Sequence, residues 1–157
     1  MGIGLQLGRY LAIAGCRVLL SARSAAKLEE ARDEIVEELR GIGYPQADTR
    51  VSIMADIDVG DPKALDALYD RSIELFGNVD FLINNAGTNL PKTMAETTED
   101  DFDTVIDLNL RAAYFVAQAI TNGLLAAEKP GSSINISSQM GHVGGPLPVS
   151  YTHLRAP

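Results

Sequence analysis

The chain has 157 residues, 46% hydrophobic and 22% charged, the balance of one ordinary soluble domain and not of a disordered or fibrous chain. A net charge of -8 and a pI near 4.6 speak against a nucleic-acid or anionic-membrane partner, since both need clustered Lys and Arg, and leave small-molecule chemistry as the expectation. The single Cys16 excludes an internal disulfide framework and a cysteine metal cluster; with no signal-peptide pattern and no long apolar run, the expectation is a cytoplasmic protein without a metal.

Met1-Gly2-Ile3-Gly4 opens directly onto a helix, with Ile3, Leu7, Leu11 and Ala14 expected on one face and Gly15 as the stop. A glycine-rich helix entry suits a phosphate cradle fed by a preceding strand, yet no strand precedes it, and the spacing Gly2, Gly4, Gly8 is not G-x-G-x-x-G. A helix that merely starts with two glycines is the alternative. Arg17 to Ser21 reads as a short apolar strand, and Ala22-Arg23-Ser24 leads into a helix with Leu28, Ala31, Ile35, Val36 and Leu39 on one face, closed by Gly41, Gly43 and Pro45. A strand from Val51 to Ala55 and a turn at Asp58-Val59-Gly60 follow. Asp61 and Pro62 then start a helix along which Leu65, Leu68, Tyr69 and Phe76 run to Gly77.

The next strand, Val79 to Ile83, is nearly free of charge and reads as buried on both faces, the pattern of a central parallel strand. It ends in Asn84-Asn85-Ala86-Gly87, at the carboxyl edge where open α/β sheets bind ligands. Side-chain amides there can bond neighbouring backbone, and Ala86 and Gly87 leave room for another molecule; a plain strand followed by a glycine turn is equally compatible. Thr98-Glu99-Asp100-Asp101 is a capping-box pattern that starts the longest helix. Phe102, Val105, Ile106, Ala113 and Val116 define its expected buried face, and Asn109 shares it. A buried amide costs about 1 to 3 kcal/mol if unpaired, so Asn109 either bonds neighbouring backbone or holds a polar group or water needed for chemistry. Asn122-Gly123 is a candidate bend. Ser133 to Ser138 is a last strand running into hydroxyls, and Gly141, Gly144, Gly145, Pro146 and Pro148 form a loop able to close over the same rim. The alternation of helices and strands predicts a parallel sheet with helical crossovers.

Gly2-Ile3-Gly4, the Asn84-Asn85-Ala86-Gly87 turn, Asn109, and Ser138 with Tyr151 thirteen residues later together resemble the short-chain dehydrogenase/reductase family. The resemblance implies an α/β, Rossmann-like doubly wound parallel sheet, incomplete here: the family's first strand and first glycine are missing, so Met1 is expected to be internal to a longer parent, and the C-terminal part is missing too. The family's strand order, 3-2-1-4-5, would put the absent strand between the strand at Val18 and the one at Phe81.

The family's Tyr-x-x-x-Lys reads Tyr151-Thr152-His153-Leu154-Arg155 here; Arg keeps the charge but not the compact ammonium that lowers a phenol pKa. Val149 to Ala156 resemble the translation of a transposon-end sequencing adaptor, so residues 149 to 157 are expected to be read-through. The expected division is therefore a partial dinucleotide-binding domain over 1–148 and a non-native tail over 149–157, with Tyr151 at the catalytic spacing by accident.

By the same resemblance, Gly2, Ile3 and Gly4 lie against a cofactor pyrophosphate, Asp58 and Val59 flank the adenine, and Asn85, Ala86 and Gly87 line the adenosine ribose. Ser138 would bond the substrate carbonyl oxygen, Tyr151 would exchange its proton, and Asn109 would hold a water of the proton relay. Ala22 stands where the family usually carries the acid that selects NAD, and Arg23 follows where a 2′-phosphate is held, so NADP is favoured over NAD; a solvated helix-entry residue is the alternative for Arg23. The implied function of the parent is a nicotinamide-dependent oxidoreductase interconverting an alcohol and a ketone, a homo-oligomer acting on a small molecule, with the 157-residue chain itself inactive. A non-catalytic dinucleotide-binding module is the runner-up. A methyltransferase on a related sheet would leave Ser138 and Asn109 without a role.

Overall fold

The computed structural model describes residues 2–59 and 61–139. Tyr151, Arg155 and the glycine-rich loop from Gly141 lie outside them. The elements alternate as the sequence pattern requires: α1 (Ile3–Ile13), β1 (Val18–Ser21), α2 (Ala25–Gly41), β2 (Val51–Met54), α3 (Pro62–Phe76), β3 (Phe81–Asn84), α4 (Glu99–Ile106), a π turn (Asp107–Ala112), α5 (Ala113–Ala126) and β4 (Ser132–Asn135). Among the described residues the strands form two parallel pairs, β1 with β2 and β3 with β4. The chain divides into two compact units, one of residues up to Asp58 with Asp70–Asn78, the other of Val59–Tyr69 with residues from Val79 onward.

In the first unit, β1 and β2 run in register, Val18 beside Val51 and Ser21 beside Met54. Ala12, Ile35, Val36, Leu39, Ala47 and Val51 form the core, with Leu5, Val18 and Leu20 packed against it. The inward face of α1 is therefore Leu5, Gly8 and Ala12, and not Ile3, Leu7, Leu11 and Ala14: Ile3 is 62% exposed. Small residues decide this. A Cβ on Gly8 would stand 2.7 Å from a Leu20 methyl, so the missing side chain lets α1 come close to β1.

Ser24 caps α2 by accepting the Lys27 amide, as its position before the apolar run predicts. Gly15 has φ of +99°, which stops α1, and its carbonyl accepts a 2.6 Å bond from Arg50, whose guanidinium lies over the Tyr44 ring. Arg17 donates to the carbonyls of Leu75 and Phe76 at 3.2 and 2.9 Å, satisfying the last turn of α3.

In the second unit, β3 and β4 pair from Phe81 beside Ser132 to Asn84 beside Asn135, and α5 packs on β3. The strand is not buried on both faces as its composition suggests: Phe81 is 59% exposed and the rest half-buried, and among the described residues β4 is the one ladder partner of β3. Val105, Ala112, Val116 and Ile120 are the buried positions of the long helical segment. Phe102 is 48% exposed. Gly123 does not bend α5, which is unbroken to Ala126; the irregularity comes earlier, in the π turn. A Cβ on Gly123 would stand 2.0 Å from the Tyr69 hydroxyl, so this glycine is required by a close approach.

Candidate functional site

Site residues in the first unit gather at the amino end of α1 and the carboxyl end of β1. Gly2 is the N-cap of α1 in extended backbone and, having no side chain, gives the first turn no side-chain cap. The amides of Ile3 and Gly4 have no intrahelical acceptor by helix geometry, and a Cβ on Gly2 would meet nothing within 4 Å. That end of the helix offers free donors and a positive dipole end to an anion. Beyond β1, the Ala22 amide bonds the Met54 carbonyl at 3.4 Å and the Ala22 carbonyl takes the Ile57 amide at 3.3 Å, so the chain stays tied to the β2 edge for one residue past the strand. Arg23 follows, exposed, with no ion pair among the described residues. Asp58 is exposed, after Asp56 has turned the backbone at φ +57°; Val59, which belongs to the second unit, is half-buried.

In the second unit, the π turn carries Asn109. One residue too many in a helical turn is a feature frequent at functional sites. Asn109 Oδ1 accepts the Thr88 amide at 2.8 Å, and Nδ2 donates to the Thr88 carbonyl at 2.8 Å. Bonding to neighbouring backbone, one of the two options left by the sequence, is present. The same amide stands beside Gly87, where a Cβ would come within 3.2 Å of Oδ1. Asn85, Ala86 and Gly87 are exposed at the carboxyl end of β3. Ser138 is half-buried, three residues past β4.

The loop before α4 is fixed by charge. Thr98 and Asp101 form a complete capping box, with Thr98 Oγ1 accepting the Asp101 amide at 3.2 Å and Asp101 accepting the Thr98 amide at 3.0 Å. Asp101 also takes Lys92 Nζ at 2.6 Å. The Lys92 ammonium first, then the Thr98 amide and hydroxyl, hold its carboxyl at about 2, below the usual 3.8.

Sequence reasoning anticipated that the Asn84 amide would bond neighbouring backbone, but missed the amide of Asn135 and a hydroxyl. Asn84 donates both to the Ala113 carbonyl and to Asn135, and Ser72 is buried in α3. A polar residue inside an apolar run was the available signal. An open depression lined by Arg17, Gln46, Thr49, Ser52, Leu75 and Phe76 holds none of the site residues and adjoins the amino ends of β1 and β2, the end opposite the one where open α/β sheets take ligands. No group of acidic, His or Cys side chains suited to a metal occurs among the described residues, and no helix there is long and apolar enough to cross a membrane.

A family model described as short chain dehydrogenase matches residues 1–153. The 2-dehydro-3-deoxy-D-gluconate 5-dehydrogenase of Escherichia coli is 33% identical over 152 residues, 97% of this chain and 54% of that protein. A 3-oxoacyl-acyl-carrier-protein reductase of Staphylococcus aureus is 30% identical over 155 residues, 99% of this chain and 59% of that protein. Among solved structures, the C-domain of a bacterial malonyl-CoA reductase with NADP superposes with a TM-score of 0.92 at 34% identity, covering 99% of this chain and 24% of that one. The chain thus spans little more than half the length of these two curated relatives.

Proposed function

The chain belongs to the short-chain dehydrogenase family, and from that premise we propose that its full-length protein is an NADP-dependent oxidoreductase interconverting an alcohol and a ketone. The observation that carries the reading is the glycine entry to α1, Gly2 in extended backbone before Ile3 and Gly4, with Arg23 beyond β1 and no acid at Ala22. These residues fit the cofactor's anionic groups: the amides of Ile3 and Gly4 would hold the pyrophosphate, and the Arg23 guanidinium would meet a 2′-phosphate with charge-assisted bonds. The relative solved with NADP supports the choice of cofactor.

The nicotinamide supplies or accepts the hydride when bound. The chain's own groups handle the rest. Ser138 donates its hydroxyl to the carbonyl oxygen as charge develops there, and a tyrosine of the full-length protein at the position that Tyr151 of the foreign tail occupies here gives or takes the proton at that oxygen. Asn109, after pairing with Thr88, keeps one Nδ2 hydrogen and one Oδ1 lone pair for a relay water. Asp58 and Val59 would flank the adenine, and Asn85, Ala86 and Gly87 would line the adenosine ribose. The protein is cytoplasmic and homo-oligomeric in this reading. The 157-residue chain alone is inactive, because residues 149–157 are a foreign tail with Arg155 in place of the family's lysine.

The test is the full-length protein, assayed at the nicotinamide absorbance with NADPH and NADH over a panel of ketones. Turnover with NADPH preferred, lost in Ser138→Ala, supports the reading. Cofactor binding without turnover of any ketone or alcohol overturns it in favour of a non-catalytic binding module.

A further inference from the structure

Asparagine is unfavourable inside a strand, because its amide must find partners or lose its hydration. Yet β3 and β4 both end on one, and the register sets Asn84 directly beside Asn135. The Asn84 amide nitrogen has two hydrogens to give. One goes to Asn135 Oδ1 at 2.9 Å and the other to the Ala113 carbonyl at 3.1 Å. The backbone repeats the tie, the Ile136 amide donating to the Asn84 carbonyl at 2.9 Å. Ala113 is the first residue after the π turn that carries Asn109, and Asn135 stands three residues before Ser138. One amide therefore joins the end of β4 to the helix that presents Asn109.

We propose that Asn135 is a positioning residue for the reaction: by accepting from Asn84 it fixes the path of the chain from β4 to Ser138 relative to the turn of Asn109. The inference rests on the functional reading above, in which Ser138 holds the carbonyl oxygen. Asn135 acts through Asn84 and the strand. What position 135 must supply is an acceptor, not an amide. Aspartate presents an oxygen at the same place, and its charge strengthens the bond. Alanine presents none. Because Asn135 is exposed, water takes the released Asn84 hydrogen in the alanine variant, so the fold survives while the alignment is lost.

The experiment compares Asn135→Ala, Asn135→Asp and Ser138→Ala in the full-length protein, with diacetyl and NADPH as probe reactants and with backbone amide NMR spectra of the unliganded protein. Asn135→Ala is expected to lower kcat about tenfold, within what a sub-ångström misplacement of a reacting group produces, with KM for NADPH and the melting temperature little changed. Its amide signals at Ser137 and Ser138 move, and Asn135→Asp restores both rate and spectrum. Unchanged kcat and unmoved Ser137 and Ser138 signals in Asn135→Ala, or a loss that Asn135→Asp does not restore, overturn the inference while Ser138→Ala inactivity leaves the functional reading standing. Turnover by Ser138→Ala, or none by the unmodified protein, overturns that reading and this inference with it.

Discussion

Asn109 and Thr88 close a two-bond ring, one amide side chain standing in for the neighbouring strand that the backbone of Thr88 would otherwise need. Removing it leaves a part-buried N–H and a carbonyl unpaired. Asn109→Ala is expected to destabilise the full-length protein by about 1 to 3 kcal/mol in urea unfolding. Asn109→Asp keeps the acceptor, loses the donor and sets a negative charge against the Thr88 carbonyl, so it too unfolds at lower urea. An unchanged midpoint for both variants would show that the ring carries no stability.

Gly123 leaves space that the Tyr69 ring fills. Gly123→Ala puts a methyl 2.0 Å from the hydroxyl and 2.6 Å from the ring carbon that bears it, so overpacking is expected to cost about 1 to 3 kcal/mol against any gain in helix propensity. Combining it with Tyr69→Ala removes the clash. In a double-mutant cycle the two changes should together cost less than the sum of the two alone; strict additivity contradicts the close approach.

The Lys92 and Asp101 pair makes a pH prediction. The folded pKa of Asp101 is depressed, so its contribution to stability is complete above the unfolded value near 3.8 and is lost as pH falls toward about 2. Carboxyl NMR titration of the full-length protein should find Asp101 titrating near the lower of these values. Lys92→Met should move it upward toward the ordinary range, and Thr98→Ala should move it up by less, since the lysine is the larger cause.

Arg23 is exposed and without an ion pair among the described residues, so replacing it should test binding without disturbing the fold. Arg23→Ala is expected to raise the apparent KM for NADPH at least about tenfold, the loss of one or more charge-assisted bonds, and to leave that for NADH unchanged. Adding Ala22→Asp should turn preference toward NADH. Equal use of both cofactors before and after Arg23→Ala would make Arg23 a solvated helix-entry residue.

Much of this was legible in the chain itself, for stated physical reasons. Ser24, Gly15 and the Thr98 to Asp101 box mark helix ends through bonds that span three or four residues, so local spacing suffices to find them. The inward face of α1 was not legible, because apolar periodicity gives weight to large side chains whereas Gly8 and Ala12 are chosen for their smallness against Leu20. The exposure of Phe81 depends on which strands pair, a non-local fact. The π turn leaves no mark in composition, since it shifts hydrogen bonds by one residue without changing residue type. Asn135 was open to the argument already applied to Asn109: an amide within Ser-Ile-Asn-Ile needs a partner, though only the register names Asn84 as that partner.

The two parallel strand pairs also govern how the chain reaches its fold. Neither can be made by a hairpin, and Asn84 and Asn135, 51 residues apart, meet only after a whole crossover has been threaded between them. Closing that longer loop costs well under about 1 kcal/mol more than closing the shorter one between Val18 and Val51, because the entropy grows only with the logarithm of length. Distance in sequence sets the timetable instead: on the ribosome β1 and β2 emerge before β3 and β4, so the first pair can join while the later strands await their partners.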